Sequence, residues 1–454
     1  MSTIDEQSHD DRRTSPDQAG TPDKPANMRK LAFAAGAGTA LEWYDFGLYG
    51  LATALIFQPL FFPAHSSAAG LLATFATFAL GFVARPIGSI IFGHIGDRVS
   101  RKGMLALTLG VMGVCTFVVG LLPTYETIGV WAPISLVVLR IVQGLAVGGE
   151  YGGAAIMLAE QAPPRRRGFW TSWVSTTSPL GTLVAFGVFA LVQNSMSKEA
   201  FLAWGWRIPF LLSILILVVG LVIRSRTQES AVFVAAKAQV DELPRIPIAE
   251  LLRNHGSVVV RAVLSRLADS PAFFVFTTFG ISYITTTVGA SPGVAVLAST
   301  VVNAGQVLCY PFAGMLSDRI GRKPTMMAGA AVLVVVSVPA FLLINTGNTA
   351  LILLGSFIGV VPGSCLVLGA MPSMLAELFP TPVRCSGTSF VYQTTTITGG
   401  VAPFVAAALL SLGYGFWPIV AVIMVLALVS IAFLRTLPEV RGRDLHAADV
   451  PATA

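Results

Sequence analysis

Among the charged residues inside long apolar stretches of this 454-residue chain, six stand out: Glu42, Asp45, Arg85, Arg140, Glu150 and Asp269. A charge at the centre of a hydrocarbon layer costs roughly 2.5–3.5 kcal/mol on insertion scales. Each must therefore be paired, hydrated or put to use. The two signs suggest two kinds of chemistry. Desolvation disfavours the charged form of a carboxylate, and a nearby arginine favours it. A buried acid whose surroundings open and close can thus bind a proton from one side and release it to the other. Glu42 and Asp45 are the candidate proton carriers. A guanidinium meets a carboxylate bidentately, so Arg140 is their candidate partner and the candidate clamp for a carboxylate on a substrate. Arg85, Glu150 and Asp269 are further candidates for that site. For all six the alternative is mutual pairing that only fixes helix packing.

These charges need elements to hold them, and composition says what kind. The chain is 54% hydrophobic and 11% charged, with a mean hydropathy of +0.75. Soluble domains carry about 25% charged residues, so the solvent of most of this chain is lipid. A span needs about 20 mostly apolar residues. Such stretches fall near 30–57, 68–95, 103–122, 131–159, 168–192 and 205–224, then near 257–286, 292–316, 324–344, 349–377, 386–411 and 414–435. The expected fold is an all-α membrane protein of about twelve transmembrane helices. Residues 1–27 are polar, lack an apolar signal-peptide core and read as a disordered cytoplasmic tail. The expected divisions are a first half at 28–224, a central loop at 225–255, a second half at 256–436 and a short tail at 437–454. The piece 246–252 reads as a short interfacial helix.

Lysine and arginine orient the spans. One face collects Arg29, Lys30, Arg98, Arg101, Lys102, the run Arg165 to Arg167, Arg224, Arg226, Lys237, Arg245 and Arg253. Arg319, Arg322, Lys323, Arg384, Arg435, Arg441 and Arg443 join them, whereas the opposite loops offer little beyond Lys198 and Arg207. That bias predicts both termini and the central loop in the cytoplasm. It also accounts for the net charge of +6 without nucleic acid. Trp131, Trp204, Trp206 and Trp417 fall near the outer interface and read as membrane anchors. The four cysteines, Cys115, Cys309, Cys365 and Cys385, have no metal or disulfide spacing.

The halves repeat. Gly93-His-Ile-Gly-Asp97-Arg98-Val-Ser-Arg101-Lys102 follows the second span, and Gly314-Met-Leu-Ser-Asp318-Arg319-Ile-Gly-Arg322-Lys323 follows the eighth. Leu158-Ala159-Glu160 with Pro163 and Arg167 follows the fourth span, and Leu375-Ala376-Glu377 with Pro380 and Arg384 follows the tenth. Two motifs in one order and at nearly one offset imply two six-helix halves related by a pseudo-two-fold along the membrane normal. The charges inside the membrane do not repeat. Phe357 and Val367 answer Arg140 and Glu150, and only Asp269 answers Asp45. A polar first half facing an apolar, aromatic second half is the expectation.

The loop Gly93–Lys102 and Arg140-x-x-Gln143-Gly144 resemble signatures of the major facilitator superfamily. Glu42-Trp-Tyr-Asp-Phe, Ala84-Arg85-Pro-Ile-Gly, Gly148-Gly-Glu150-Tyr-Gly-Gly and Gly205-Trp-Arg-Ile-Pro together resemble the metabolite:proton symporters within it. That family includes carriers of proline and betaine, 2-oxoglutarate, citrate and shikimate. The resemblance covers nearly the whole chain except the tails. Two positions depart from the pattern, Ser100 where glycine is usual and Ala231 where proline is usual. The resemblance implies an inner-membrane carrier, functional as a monomer, that moves a small carboxylate-bearing metabolite by alternating access, with a proton as coupling ion and no cofactor. The buried acids alone would suit sodium equally. It implies gating roles for Asp97, Arg98, Arg101, Lys102, Asp318, Arg319, Arg322 and Lys323. It also implies latch roles for Glu160 with Arg167 and Glu377 with Arg384. Tyr44, Trp173, Tyr310, Tyr392 and Gln393 fall on spans that line the cavity in that fold, and are candidate substrate contacts.

No nucleophile–base pair, metal cluster or phosphate loop occurs, so an enzyme is not expected. A drug:proton antiporter on the same fold and a transporter-like receptor are the competing classes. Arg85 and Arg140 disfavour the first, and the intact repeats disfavour the second.

Overall fold

The computed structural model describes residues 28–63, 67–98, 101–148, 150–226 and 247–445. The expected tail at 1–27, residues 446–454 of the expected tail at 437–454, and residues 227–246 of the central loop lie outside them. In lipid every backbone N–H and C=O must bond within the chain, which leaves helices as the solution for these sequences. The described residues form helices and turns and contain no strand. The first six long helical elements are α1 (Met28–Leu55), α2 (Ser67–Arg98), α3 (Arg101–Leu121), α4 (Trp131–Val147, continued by Glu150–Gln161), α5 (Arg167–Asn194) and α6. The last is built of short pieces, Arg207–Leu211 and Ser213–Arg226. Then come α7 (Pro247–Leu264, resumed at Asp269–Phe274), α8 (Pro292–Ile320), α9 (Arg322–Ile344), α10 (Thr349–Leu378), α11 (Arg384–Ser411) and α12 (Trp417–Thr436).

Among the described residues nine helices are long and apolar enough to cross a membrane. The other three of the twelve differ for visible reasons. α1 carries Glu42 and Asp45, the apolar part of α3 is the shorter Ala106–Leu121, and α7 is interrupted. The piece expected as a short helix at 246–252 is helical from Pro247 and heads α7, set off from the rest of it by a non-helical residue. That helix is kinked at His255 (φ −127°, ψ 17°), breaks between Leu264 and Asp269, and passes through a π-helical turn at Val275–Phe279 before Gly280–Thr286. Irregular backbone at membrane depth is tolerated only where protein or a cavity covers it, and all of Ala268 to Ile284 is buried.

The two halves meet along α5 against α8 and α2 against α11. Small residues permit the close crossings, as is usual in lipid-embedded bundles. A Cβ on Gly168 of α5 would sit 2.6 Å from the Gly314 carbonyl of α8. Within the first half, a Cβ on Gly144 would sit 2.0 Å from the Gly81 carbonyl. Backbone cannot give way as a side chain can. Gly144→Leu is therefore expected to cost about 3 kcal/mol or more, the upper end of overpacking penalties. Thermal unfolding in detergent checks this; an unchanged melting temperature would show that α2 and α4 do not cross so closely.

Of the four tryptophans read as anchors, Trp131, Trp204 and Trp417 are exposed on the helix surface. Trp206 is not. It is fully buried, edge-on to Phe57, Phe61 and Phe210. The four cysteines are free.

Candidate functional site

Three groups of polar side chains occupy the interior, and the first lies inside the first half. Glu42 and Asp45 of α1, Arg85 of α2 and Arg140 of α4 are all buried. Arg85 Nη1 lies 3.4 Å from Glu42 Oε1. The Arg85 guanidinium stands 4.0 Å from the centroid of Phe46 and 4.2 Å from that of Phe82. Arg140 lies 4.3 Å from Phe46, 4.2 Å from Tyr49 and 5.1 Å from Phe78. Two cations thus share an aromatic box whose ring faces carry negative potential. The two acids bring the formal charge of the group to zero. Gly81 makes the room: a Cβ there would fall 2.5 Å from Arg140 Nε. Among the described residues, all three nitrogens of Arg85, and Nε and Nη2 of Arg140, have no hydrogen-bond partner. The group is therefore rich in donors as well as tightly packed.

The second group lines a small cavity between the halves. Trp43 of α1, Tyr151 of α4 and Ser175 and Ser178 of α5 supply one wall. Arg266, Asp269 and Phe273 of α7, Gln306 and Tyr310 of α8, and Tyr392 and Thr396 of α11 supply the other. Arg266 Nη2 bonds Asp269 Oδ2 at 2.9 Å, and its Nη1 donates to Thr395 Oγ1 at 2.7 Å. Tyr151 and Tyr392 stack face to face across the halves, with centroids 3.5 Å apart. Arg266 lies within the break in α7, and Asp269 opens the helix that follows it.

Of the residues singled out in the sequence, Asp269, Tyr310 and Tyr392 line this cavity. Arg85 and Arg140 do not; they lie in the aromatic box. Tyr44 is turned into the first half, where its hydroxyl donates to the Pro209 carbonyl at 2.9 Å. Gln393 donates to the Val147 carbonyl at 3.2 Å, tying α11 to α4. Trp173 packs edge-on to Phe169 and is not among the lining residues. The side chain of Glu150 lies outside those described.

Sequence reasoning missed Arg266, and with it the expectation of an apolar second half fails. That half holds its own buried ion pair. The signal was present as Arg266-x-x-Asp269, a basic and an acidic residue one helical turn apart within a span. Trp43 was missed too, although it sits inside the quoted motif Glu42-Trp-Tyr-Asp-Phe.

The third group closes the end of the bundle that carries both the start of α1 and the end of α12. Asp318 accepts from the backbone N–H groups of Gly168 (2.8 Å) and Phe169 (2.9 Å), at the start of α5 in the other half. Arg322 donates to Asp318 Oδ1 at 2.7 Å and to Glu377 Oε2 at 3.0 Å. Arg167 donates to Glu377 Oε1 at 2.6 Å, and Arg384 to Glu160 Oε1 at 3.2 Å. The expected pairings within each half, Glu160 with Arg167 and Glu377 with Arg384, are therefore exchanged across the halves. The arginines at the start of α5 and α11 reach over the facing half because these helices begin at the seam.

The chain after α12 lies on this latch. The Arg443 carbonyl accepts from Arg167 (3.0 Å), the Leu445 carbonyl from Arg384 (3.2 Å), and Glu439 accepts from the N–H groups of Arg322 and Lys323 (both 3.0 Å). Lys323 Nζ donates to the carbonyls of Arg435 and Leu437, and Arg441 bonds the Arg319 carbonyl. The side chains of Asp97, Arg98, Arg101 and Lys102 lie outside those described.

Comparison with known proteins agrees with this architecture. Residues 31–254 match the family described as sugar (and other) transporter, and residues 262–453 match the Major Facilitator Superfamily. The shikimate transporter of Escherichia coli (strain K12) is 37% identical over 399 residues, covering 87% of this chain and 91% of that one. The chain belongs to the major facilitator superfamily. It groups there with metabolite transporters. The inner membrane metabolite transport protein YhjE of the same strain is 37% identical over 93% of this chain and 97% of that one. Its proline/betaine transporter is 33% identical over 94% of this chain and 86% of that one. Among solved structures, the proton:xylose symporter XylE bound to 6-bromo-6-deoxy-D-glucose superposes with a TM-score of 0.74 at 17% identity, covering 92% of this chain and 97% of that one. At that identity the likeness is one of fold. The protein is a multi-pass membrane transporter of that superfamily and not an enzyme.

Proposed function

We propose that this transporter takes up a small carboxylate-bearing metabolite across the cytoplasmic membrane together with protons, by alternating access. The reading rests most on one observation: a cavity between the halves holds a buried Arg–Asp pair while an inter-half latch closes one end. A carrier that exposes its site alternately to two sides needs both parts. The positive bias of the latch end supports a cytoplasmic position for it and for both termini. Division into halves at 28–224 and 256–436, with the proton handled by Glu42 and Asp45, belongs to the same proposal.

Two cargo types fit. A hydroxylated organic acid suits the Ser175, Ser178, Gln306 and Thr396 side of the cavity, and the shikimate transporter is a relative. A zwitterion with a substituted ammonium suits the ring faces of Trp43, Tyr151, Tyr310 and Tyr392, and the proline/betaine transporter is a relative.

External pH in lightly buffered, de-energised cells making the protein tests the reading. Shikimate, 2-oxoglutarate, citrate, proline and betaine are added one at a time. Alkalinisation with one compound is expected, and it should vanish in Glu42→Gln/Asp45→Asn. No response to any of them, with protons or with an imposed sodium gradient, would remove carboxylate symport from consideration.

A further inference from the structure

The sequence singled out Asp269 but not its partner Arg266, and the pair is the charged part of the cavity wall. Both residues are buried, at 2% and 1% exposure. Their contact is a single close approach of 2.9 Å, not the parallel two-bond geometry that a guanidinium and a carboxylate can form. Among the described residues, Arg266 Nε has no hydrogen-bond partner. On the facing elements the titratable and charged groups are Tyr151 of α4, Tyr310 of α8 and Tyr392 of α11, with Glu42 and Arg85 beyond Tyr392. Arg266 is thus the only guanidinium among the residues lining the cavity.

We propose that Arg266 is the carboxylate anchor of the substrate, and that a bound substrate carboxylate displaces Asp269 from it. This rests on the reading of the protein as a carboxylate transporter. Without its partner, Asp269 would be a buried ion with no counter-charge. Such a group neutralises instead of staying ionised. The exchange balances: Arg266 and Asp269 begin as cation and anion; the substrate carboxylate replaces the anion; Asp269 takes one proton from water and becomes the neutral acid. The charge at the wall is zero before and after. One proton is bound per carboxylate at this place, in addition to any carried by Glu42 and Asp45. A simple monoanionic acid therefore binds here without net charge, and a zwitterion brings one positive charge.

The test uses the full chain purified in detergent, with shikimate, L-proline and glycine betaine as probes, each against its methyl ester. Kd is measured by titration from pH 5.5 to 8. At least one carboxylate is expected to bind the unaltered protein and its ester is not. Asp269→Asn should lower the slope of log Kd against pH by one, a change of about tenfold in Kd per pH unit, and bind the probe at least as tightly at high pH. Arg266→Gln/Asp269→Asn keeps a neutral pair of nearly the same shape, so it should fold as judged by its melting temperature, yet lose about a hundredfold or more in affinity. If no probe binds the unaltered protein, the carboxylate reading falls and this inference with it. If a probe binds and the double variant binds it equally well, the anchor lies elsewhere while carboxylate transport stands. An unchanged slope in Asp269→Asn overturns the exchange alone.

Discussion

In Glu377→Gln the latch opens. Glu377 is fully buried and accepts from Arg167 at 2.6 Å and from Arg322 at 3.0 and 3.4 Å, one arginine from each half. Glutamine keeps the shape and removes the charge, which leaves two buried guanidinium groups with half their compensation. Breaking a buried pair by removing one partner costs about 3–5 kcal/mol. That cost falls only on the closed arrangement, because opening admits water to both arginines. The closed-to-open ratio should therefore drop by roughly two to four powers of ten. Spin labels at Gln161, where α4 ends, and Ile320, where α8 ends, would report the change as a shift to longer distances by double electron–electron resonance. Concentrative uptake should fall while substrate binding survives. A distance distribution identical to that of the unaltered protein would mean that the seam is held by helix packing and that the ions contribute little.

Arg140→Lys is expected to lose about a hundredfold or more in the rate of substrate-driven proton uptake, despite keeping the charge. The guanidinium lies within 4.3 Å of the centroids of both Phe46 and Tyr49 and reaches Phe78 as well. A desolvated cation–π contact is worth about 2 kcal/mol or more. It depends on a planar, weakly hydrated cation that an ammonium does not replace. Lysine would withdraw from the box and leave Glu42 and Asp45 with Arg85 alone, so proton binding and release would lose their balance of charge. Initial uptake rates, read beside the melting temperature, separate this from unfolding. A rate within about threefold of the unaltered protein would make Arg140 a packing residue.

The spans were legible because a lipid-facing helix must be a long apolar run, and eleven of the twelve stretches have their helix within a few residues; α7 begins at Pro247, well ahead of the expected 257, and is interrupted. The repeat was legible because its motifs sit at helix ends, where polar residues stand out against apolar surroundings. Partners were less so. Glu160 and Arg167 are seven positions apart in the chain, yet Glu160 pairs with Arg384; nothing local to either motif says which half the arginine will cross to. Tyr44 illustrates the limit for rotational position. It neighbours Trp43 and Asp45, but successive residues on a helix point about 100° apart, so Trp43 faces the cavity and Tyr44 faces α6. Arg266 escaped notice because α7 breaks there. A basic residue near the head of an interrupted span resembles one more loop charge until the fold buries it.

The exchanged latch carries one more consequence. A contact in which residue i of one unit meets residue j of the other, and j meets i in return, is the hallmark of an isologous dimer interface. Here both units belong to one polypeptide: Glu160 meets Arg384, and Arg167 meets Glu377. Two copies of a single six-helix chain would assemble by these same contacts. In such a homodimer every substitution at the seam is made twice. Fusion of the copies lifts that constraint, so each of the two reciprocal contacts can be adjusted alone, and the strength of the seam can be tuned in half-steps that a pair of identical subunits cannot take.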